Sequence, residues 1–514
     1  MKAKQLMSLA LAVLLSACAG QQQRTPAHHT LVYAGESVST INPILNNQDE
    51  VPALIFSGLM KYDRDGIPVC DLAAQYEYQP ETLTYTFHLR DGVKWHDGTA
   101  FTASDVAYTY ELLRKDESLS ASITSDYEDL AEISVPDAKT VVFTLAQPNA
   151  AMLGYFTIGI LPRHLVEGQD LNTAPLNHHP IGTGRFRFVE WDTAGGTILL
   201  ERNNDYYGKV PNIEQLVYKT VAVESTKAAM LQSGEADLAW LNANYAQQFR
   251  DNAAFQNIDF ATADCRAISM DFRTEFWQRN SDSVGVLNYA LDKQAIVDSI
   301  LGGRGVPAYS PIQLNRYGGN LAADLYPYDL KQFAQEMEKL GWAKGEDGIY
   351  QRNGERFHFI IQVRDYEEER VDIANICASM LRTAGVEMEV ALVTRFDWNA
   401  GYHGFLSGYA TPFDADMLYS NYVTGASGNN MAYSNPQVDT LLAQGRHATT
   451  EQTRKQAYQA FELAYAQQPG ILPIAFLEGN YVSITGLEGL DPARVLGHHA
   501  VGVMWNIEDW TLQR

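Results

Sequence analysis

Leu83, Tyr85, Phe87 and Leu89 alternate with polar residues, which is the period of a strand with one buried face. Asp91-Gly92 and Asp97-Gly98 supply turns around Val93 and Trp95, which are expected to continue on a return strand. Within a few residues the period changes to that of a helix. Thr102-Ala103-Ser104-Asp105 resembles a capping box opening a helix from Val106 to Arg114. The same switch recurs down the chain. Leu31-Val32-Tyr33-Ala34 reads as a strand and Glu50 to Leu59 as a helical stretch. Leu287, Leu291 and Ala295 fall on one helical face, stopped by Gly302-Gly303. Val371, Ala374, Ala378 and Leu381 line another helix, ended by Gly385, and Ala457, Ala460, Phe461, Ala464 and Tyr465 a third. Strand-like runs from Phe357 to Val363 and from Val386 to Val393 flank them, so the fold class is α/β throughout.

A chain of 514 residues exceeds what one core normally fills, so more than one domain is expected; 46% hydrophobic and 11% aromatic residues suffice for packed cores. The formal charge of −24 argues against nucleic acid or anionic lipid as a partner and reads as a solvated acidic surface. At the N-terminus, Lys2 and Lys4 precede an apolar run from Leu6 to Leu15, shorter than the roughly 20 residues that span a bilayer. The run ends in Leu15-Ser16-Ala17-Cys18, which resembles a bacterial lipobox; residues 1–18 are therefore expected to be a lipoprotein signal peptide, with Cys18 carrying the lipid. Residues 19–30 are polar and suit a flexible tether to the membrane. Cys70, Cys265 and Cys377 lie far apart without CxxC spacing, which excludes a zinc cluster and leaves either one disulfide or three thiols. There is no G-x-S-x-G, H-E-x-x-H or P-loop pattern, and an enzyme is not expected. Gly182-Thr183-Gly184 lacks the third glycine of a dinucleotide fingerprint and reads as a tight turn, and His96 in Trp95-His96-Asp97 as a surface or capping group.

Several segments carry a resemblance to a known family. They are Tyr85-Thr86-Phe87-His88-Leu89-Arg90-Asp91-Gly92-Val93-Lys94-Trp95-His96-Asp97-Gly98, Leu161-Pro162-Arg163-His164-Leu165, Pro180-Ile181-Gly182-Thr183-Gly184-Arg185-Phe186, Asn203-Asn204-Asp205-Tyr206-Tyr207, Leu231-Gln232-Ser233-Gly234-Glu235-Ala236-Asp237, Ala290-Leu291-Asp292-Lys293 and Tyr433-Ser434-Asn435-Pro436. In this order they resemble the family 5 extracellular solute-binding proteins, the peptide/opine/nickel class of ABC importers. The resemblance implies a two-lobed periplasmic-binding-protein clam-shell of type II, with an extra small domain on lobe one. Lobe one would comprise residues 31–62, 185–283 and 485–514, the inserted small domain residues 63–184, and lobe two residues 284–484. It further implies a monomer outside the cytoplasm, held to a bacterial membrane by its N-terminal lipid. Such a protein captures a small ligand in the interlobe cleft and presents it to permease and ATPase subunits.

The resemblance also bears on the ligand. Peptide-binding members place an aspartate, which pairs with the peptide amine, a few residues before an Asp-Pro-Asp-like segment. Here the stretch is Ser407-Gly408-Tyr409-Ala410-Thr411-Pro412-Phe413-Asp414-Ala415-Asp416, and Thr411 stands where that aspartate is expected. A neutral hydroxyl gives no charge-assisted bond to an ammonium. With Tyr409 and Phe413 the stretch looks more like the nickel-chelate members. Arg370, with Arg364 as its competitor, matches the position of an arginine that holds a ligand carboxylate, and Glu367 and Glu369 are the surface partners it could take instead. His498 and His499 lie in the C-terminal segment that lines the cleft, and neutral imidazole suits Ni(II) or Cu(II). His178-His179 and His28-His29 are weaker candidates. The expected ligand is nickel, or a similar metal, as a histidine or opine-type chelate; the alternative is a di- or oligopeptide. No cofactor is expected, the metal being cargo.

Overall fold

The computed structural model describes residues 29–45, 49–116, 118–119, 121–312, 319–410, 413–498 and 501–513. The signal-peptide region with Cys18, together with Thr411 and His499, lies outside the described residues.

One mixed sheet runs through the molecule. In chain order its strands are β1 (Thr30–Gly35), β2 (Phe186–Asp192), β3 (Thr197–Arg202), β4 (Gln215–Thr220), β5 (Leu238–Leu241), β6 (Phe255–Met270), β7 (Gly305–Pro307), β8 (His358–Arg364), β9 (Glu387–Val393), β10 (Gly404–Tyr409) and β11 (Ile471–Ile484). In space the order is β9-β8-β10-β6-β11-β5-β1-β4-β3-β2, with β7 pairing β11. The helices that matter below are α1 (Glu50–Ile55), α2 (Ala103–Lys115), α3 (Lys293–Ile300), α4 (Glu368–Ala384), α5 (Pro436–Arg446) and α6 (Glu451–Gln467).

Separate cores lie on the two sides of this sheet's long middle strands. One unites Leu31, Phe56, Phe87, Tyr110, Phe156, Leu200 and Trp510. Two others, around Trp277, Trp342 and Ile373 and around Tyr422, Tyr458 and Phe461, are built from residues 265–477. Only β6 and β11 are long enough to serve both sides. Phe260 and Tyr481 pack in the first core, whereas Ile268, Met270, Leu472 and Ile474 pack in the second. The architecture is mixed α/β, as the sequence leads one to expect, with β6 and β11 shared between the two sides.

The first core carries its own four-stranded antiparallel sheet, in the order 73–79, 84–89, 140–145 and 130–137, covered by α2. The capping box of α2 is present: Thr102 N–H donates to Asp105 Oδ2 at 2.9 Å. The return strand expected at Val93 and Trp95 does not form. Strand 84–89 already has neighbours on both edges, so after the Asp91-Gly92 turn the chain makes only a bridge from Lys94 to Ala100 and buries Trp95. His96 takes the capping part of its expectation: half-buried, it bonds the 182–184 turn, with Nε2 3.0 Å from Gly184 O and Nδ1 accepting Gly182 N–H at 3.2 Å, and burial lowers its pKa to about 4. The helix expected across Leu287 to Ala295 is broken. Asp292 takes the Ala295 N–H at 3.0 Å, which ends a 3₁₀ turn at Ala290 and starts α3. Gly385 closes α4 as expected, in the left-handed region at φ 105°. Cys70, Cys265 and Cys377 are free thiols, the latter two buried.

The two sides meet along a polar seam. Arg446, fully buried on α5, donates to Asp416 Oδ2 at 2.8 Å on its own side and to Glu128 Oε1 at 2.9 Å on the other. Tyr155 OH donates to Asp416 Oδ2 at 2.6 Å, and Ala150 N–H donates to Arg446 O at 2.8 Å.

Candidate ligand site

The long pairing of β6 with β11 is interrupted at one place. Ala261 is opposite Glu478 and Cys265 is opposite Phe476, so Thr262, Ala263 and Asp264 bulge out over Leu477. The C-terminal segment fills the gap in the ladder: Ala263 N–H donates to Leu496 O at 3.1 Å and Leu496 N–H to Ala261 O at 3.0 Å. The chain then turns at once, with Gly497 N–H on Val501 O at 2.9 Å, and His498 stands on that turn. Glu50 of α1 secures the far side of the turn by accepting the Gly502 and Val503 N–H groups at 2.6 and 3.0 Å. Burial raises the Glu50 pKa to about 7, although those backbone bonds work against the rise.

The bulge sets Asp264 beside His498, with Nδ1 2.9 Å from Asp264 Oδ1. An ionised carboxylate can only accept, so in this bond Nδ1 carries the proton and the neutral ring keeps its lone pair on Nε2. Asp264 also accepts from Arg266 Nη1 at 2.9 Å, and both side chains are almost fully buried. Arg266 Nε donates to Glu369 Oε1 on α4, again at 2.9 Å. Burial pulls the Arg266 pKa down, but Asp264 and Glu369 more than offset it and keep the guanidinium charged.

Arg370 enters from the first turn of α4. It is buried and gives Nη1 to Glu367 Oε1 at 2.7 Å. Burial and the neighbouring Arg266 charge lower its pKa. Gly408 on β10 is directly opposite Arg266 on β6. A methyl group placed on Gly408 would collide with His498 Cε1 and lie 2.8 Å from Arg266 Nη1 and 3.1 Å from Arg370 Nη2. Two of the residues expected from sequence, His498 and Arg370, therefore converge on one glycine.

The other candidates lie differently. Arg364 reaches Glu367 only at 3.4 Å and rests its guanidinium 4.8 Å from the centre of the Phe396 ring. Tyr409 follows Gly408 in a strand, so its side chain belongs to the opposite face, and its hydroxyl lies 2.5 Å from Ser269 Oγ. Phe413 is a seam residue: its ring stacks on Tyr62 at 4.3 Å and lies beneath Arg494 at 4.4 Å. Of the carboxylates after it, Asp414 accepts from Arg454 at 2.7 and 2.8 Å, and Asp416 belongs to the Arg446 network.

Sequence reasoning missed Asp264, Arg266 and Glu369 as members of the group. A signal existed for the first two: opposite charges two residues apart, hence on one face, in the apolar half of the strand, from Ala261 to Met270. Among the described residues, no group of three or more His, Cys, Asp or Glu side chains is arranged to hold a metal ion by itself.

The profile of the bacterial extracellular solute-binding proteins, family 5 (middle region), matches residues 68–433. The chain belongs to this family. Among its relatives, protein XP55 of Streptomyces lividans is 30% identical, covering 90% of this chain and 86% of that one. The oligopeptide-binding protein AppA of Bacillus subtilis is 26% identical over 98% of this chain and 97% of its own. The crystal structure of NikZ from Campylobacter jejuni in complex with Ni(L-His) superposes with a TM-score of 0.85 at 30% identity, covering 94% of this chain and all of that one. The present family 5 protein is thus a solute-binding component of an ABC transporter. Such proteins lie outside the cytoplasm, bind small ligands and deliver them to permease and ATPase components, and its homologues are transporter binding proteins rather than enzymes. Among the described residues, no helix is long and apolar enough to cross a membrane.

Proposed function

We propose that this family 5 protein captures a metal chelate, nickel or a similar metal held by free histidine or an opine-type molecule, and presents it to its permease. The observation that carries this reading is the convergence of His498 and Arg370 over Gly408, with His498 held through Nδ1 by a buried carboxylate. Nε2 of His498 takes a coordination position on the metal, and Arg370 takes a carboxylate of the chelator. The pairing of Asp414 with Arg454 and of Asp416 with Arg446 supports the same reading, because each carboxylate's charge is already compensated by an arginine and neither offers an uncompensated negative charge to a peptide ammonium. The partition into lobe one (31–62, 185–283, 485–514), inserted domain (63–184) and lobe two (284–484), and anchoring through a lipid on Cys18, belong to this proposal.

Calorimetry with nickel alone, L-histidine alone and the two together tests it. Binding is expected only with both present, and His498→Ala is expected to abolish it while His499→Ala tests the neighbouring imidazole. Tight binding of di- or tripeptides without metal, unchanged in both variants, would instead establish the peptide reading.

A further inference from the structure

We propose that Asp264 is a positioning residue of the ligand site, fixing the His498 imidazole in the tautomer whose lone pair lies on Nε2. The inference rests on the chelate reading above, in which the metal binds through that nitrogen's lone pair. Three features of the fold point to it. Asp264 is one of three residues that oppose a single residue of β11, an irregularity the sheet core does not require. The rung lost there is replaced by Leu496, two residues before His498, so the bulge and the histidine are built as one unit. A carboxylate on the second nitrogen of a metal-binding histidine sets both the tautomer and the ring orientation.

A purely structural role would make Asp264 the counter-charge of Arg266 and nothing more. The hydrogen bonds extend further: they run from His498 through Asp264 and Arg266 to Glu369, which precedes Arg370 on α4. One buried chain thus fixes the imidazole and reaches the turn that supplies the guanidinium.

The test separates the two roles with metal-free, nitrogen-15-histidine-labelled protein at about pH 8, where an ordinary imidazole is neutral. The His498 signals are those lost in His498→Gln. Wild type is expected to show a protonated Nδ1 and an unprotonated Nε2, and Asp264→Asn a shift toward the other tautomer. Nickel–histidine affinity by calorimetry is expected to fall about 10–100-fold in Asp264→Asn. Asp264→Glu keeps a counter-charge for Arg266 while moving the carboxylate, and so serves if the asparagine variant does not fold; a smaller loss and a mixed tautomer are expected. A wild-type His498 protonated on Nε2, or variants that keep the wild-type tautomer and affinity, would overturn the proposal. Failure of wild type to bind nickel–histidine while the tautomer is as expected would overturn the chelate reading instead, because the spectrum is read without metal.

Discussion

His498 Cε1 and the Arg370 guanidinium meet above Gly408, one arriving from the C-terminal segment and the other from the first turn of α4. The missing side chain of Gly408 is what lets these two groups, with Arg266, crowd together: a Cβ there would collide with His498 and lie 2.8 Å from Arg266 Nη1 and 3.1 Å from Arg370 Nη2. Gly408→Ala is therefore expected to displace His498 and lower nickel–histidine affinity at least tenfold, or about 1.4 kcal/mol, with the fold retained. Calorimetry alongside a thermal melt checks this. Unchanged affinity in a folded variant would show that the packing of His498 against Gly408 does not matter for binding.

Arg446 is a fully buried cation with carboxylates from both sides of the seam, Asp416 and Glu128. Arg446→Ala leaves Asp416 buried without its compensating charge, a change that typically destabilises by about 3–5 kcal/mol. Urea unfolding is expected to show a loss of this size. Asp416→Asn, which leaves Glu128 for the arginine, is expected to lose less. A loss below that of an ordinary surface substitution would mean the seam contributes little to stability.

Glu50 gives a pH signature. Its pKa rises from the ordinary 4.5 to about 7 in the folded protein, chiefly by burial. Between these values the folded state holds a proton that the unfolded state has released, so stability falls as pH rises through this window. The full contribution is about 3 kcal/mol. Glu50→Gln keeps an acceptor for the Gly502 and Val503 N–H groups and removes the ionisation. Its melting temperature relative to wild type is expected to rise from pH 5 to about pH 7 and then level off; parallel curves would exclude the shift.

Cys18 lies outside the described residues, and its prediction stands on the Leu15-Ser16-Ala17-Cys18 site. Expressed in a bacterium, Cys18→Ala is expected to leave the membrane fraction while wild type remains in it. Equal membrane retention of both proteins, at mature size, would disprove lipid anchoring.

The sequence exposed what depends on local pattern. The strand at Thr84–Leu89, the capping box at Thr102 and the glycine stop at Gly385 each announce themselves within a few residues. Arg370 and His498 were visible because their chemistry suits a ligand. Asp264 and Arg266 were not, because their importance arises from a bulge, and the pairing error that makes a bulge is visible only once both strands and the C-terminal segment are in place. Gly408 drew no attention for a different reason: it carries no chemistry to notice, yet strand alternation puts it, and not Tyr409, on the face where His498 and Arg370 meet.

The two long strands β6 and β11 carry the chain between the cores, and the bulge with Asp264 lies within them rather than at the outer rim of either lobe. Displacement under rotation grows with distance from the axis. In a rotation of one core against the other about these strands, Asp264 and the bulge would move least. The hydrogen bonds from Arg446 to Glu128 and from Tyr155 to Asp416 join the two cores away from these strands, and they would have to break for the cores to part.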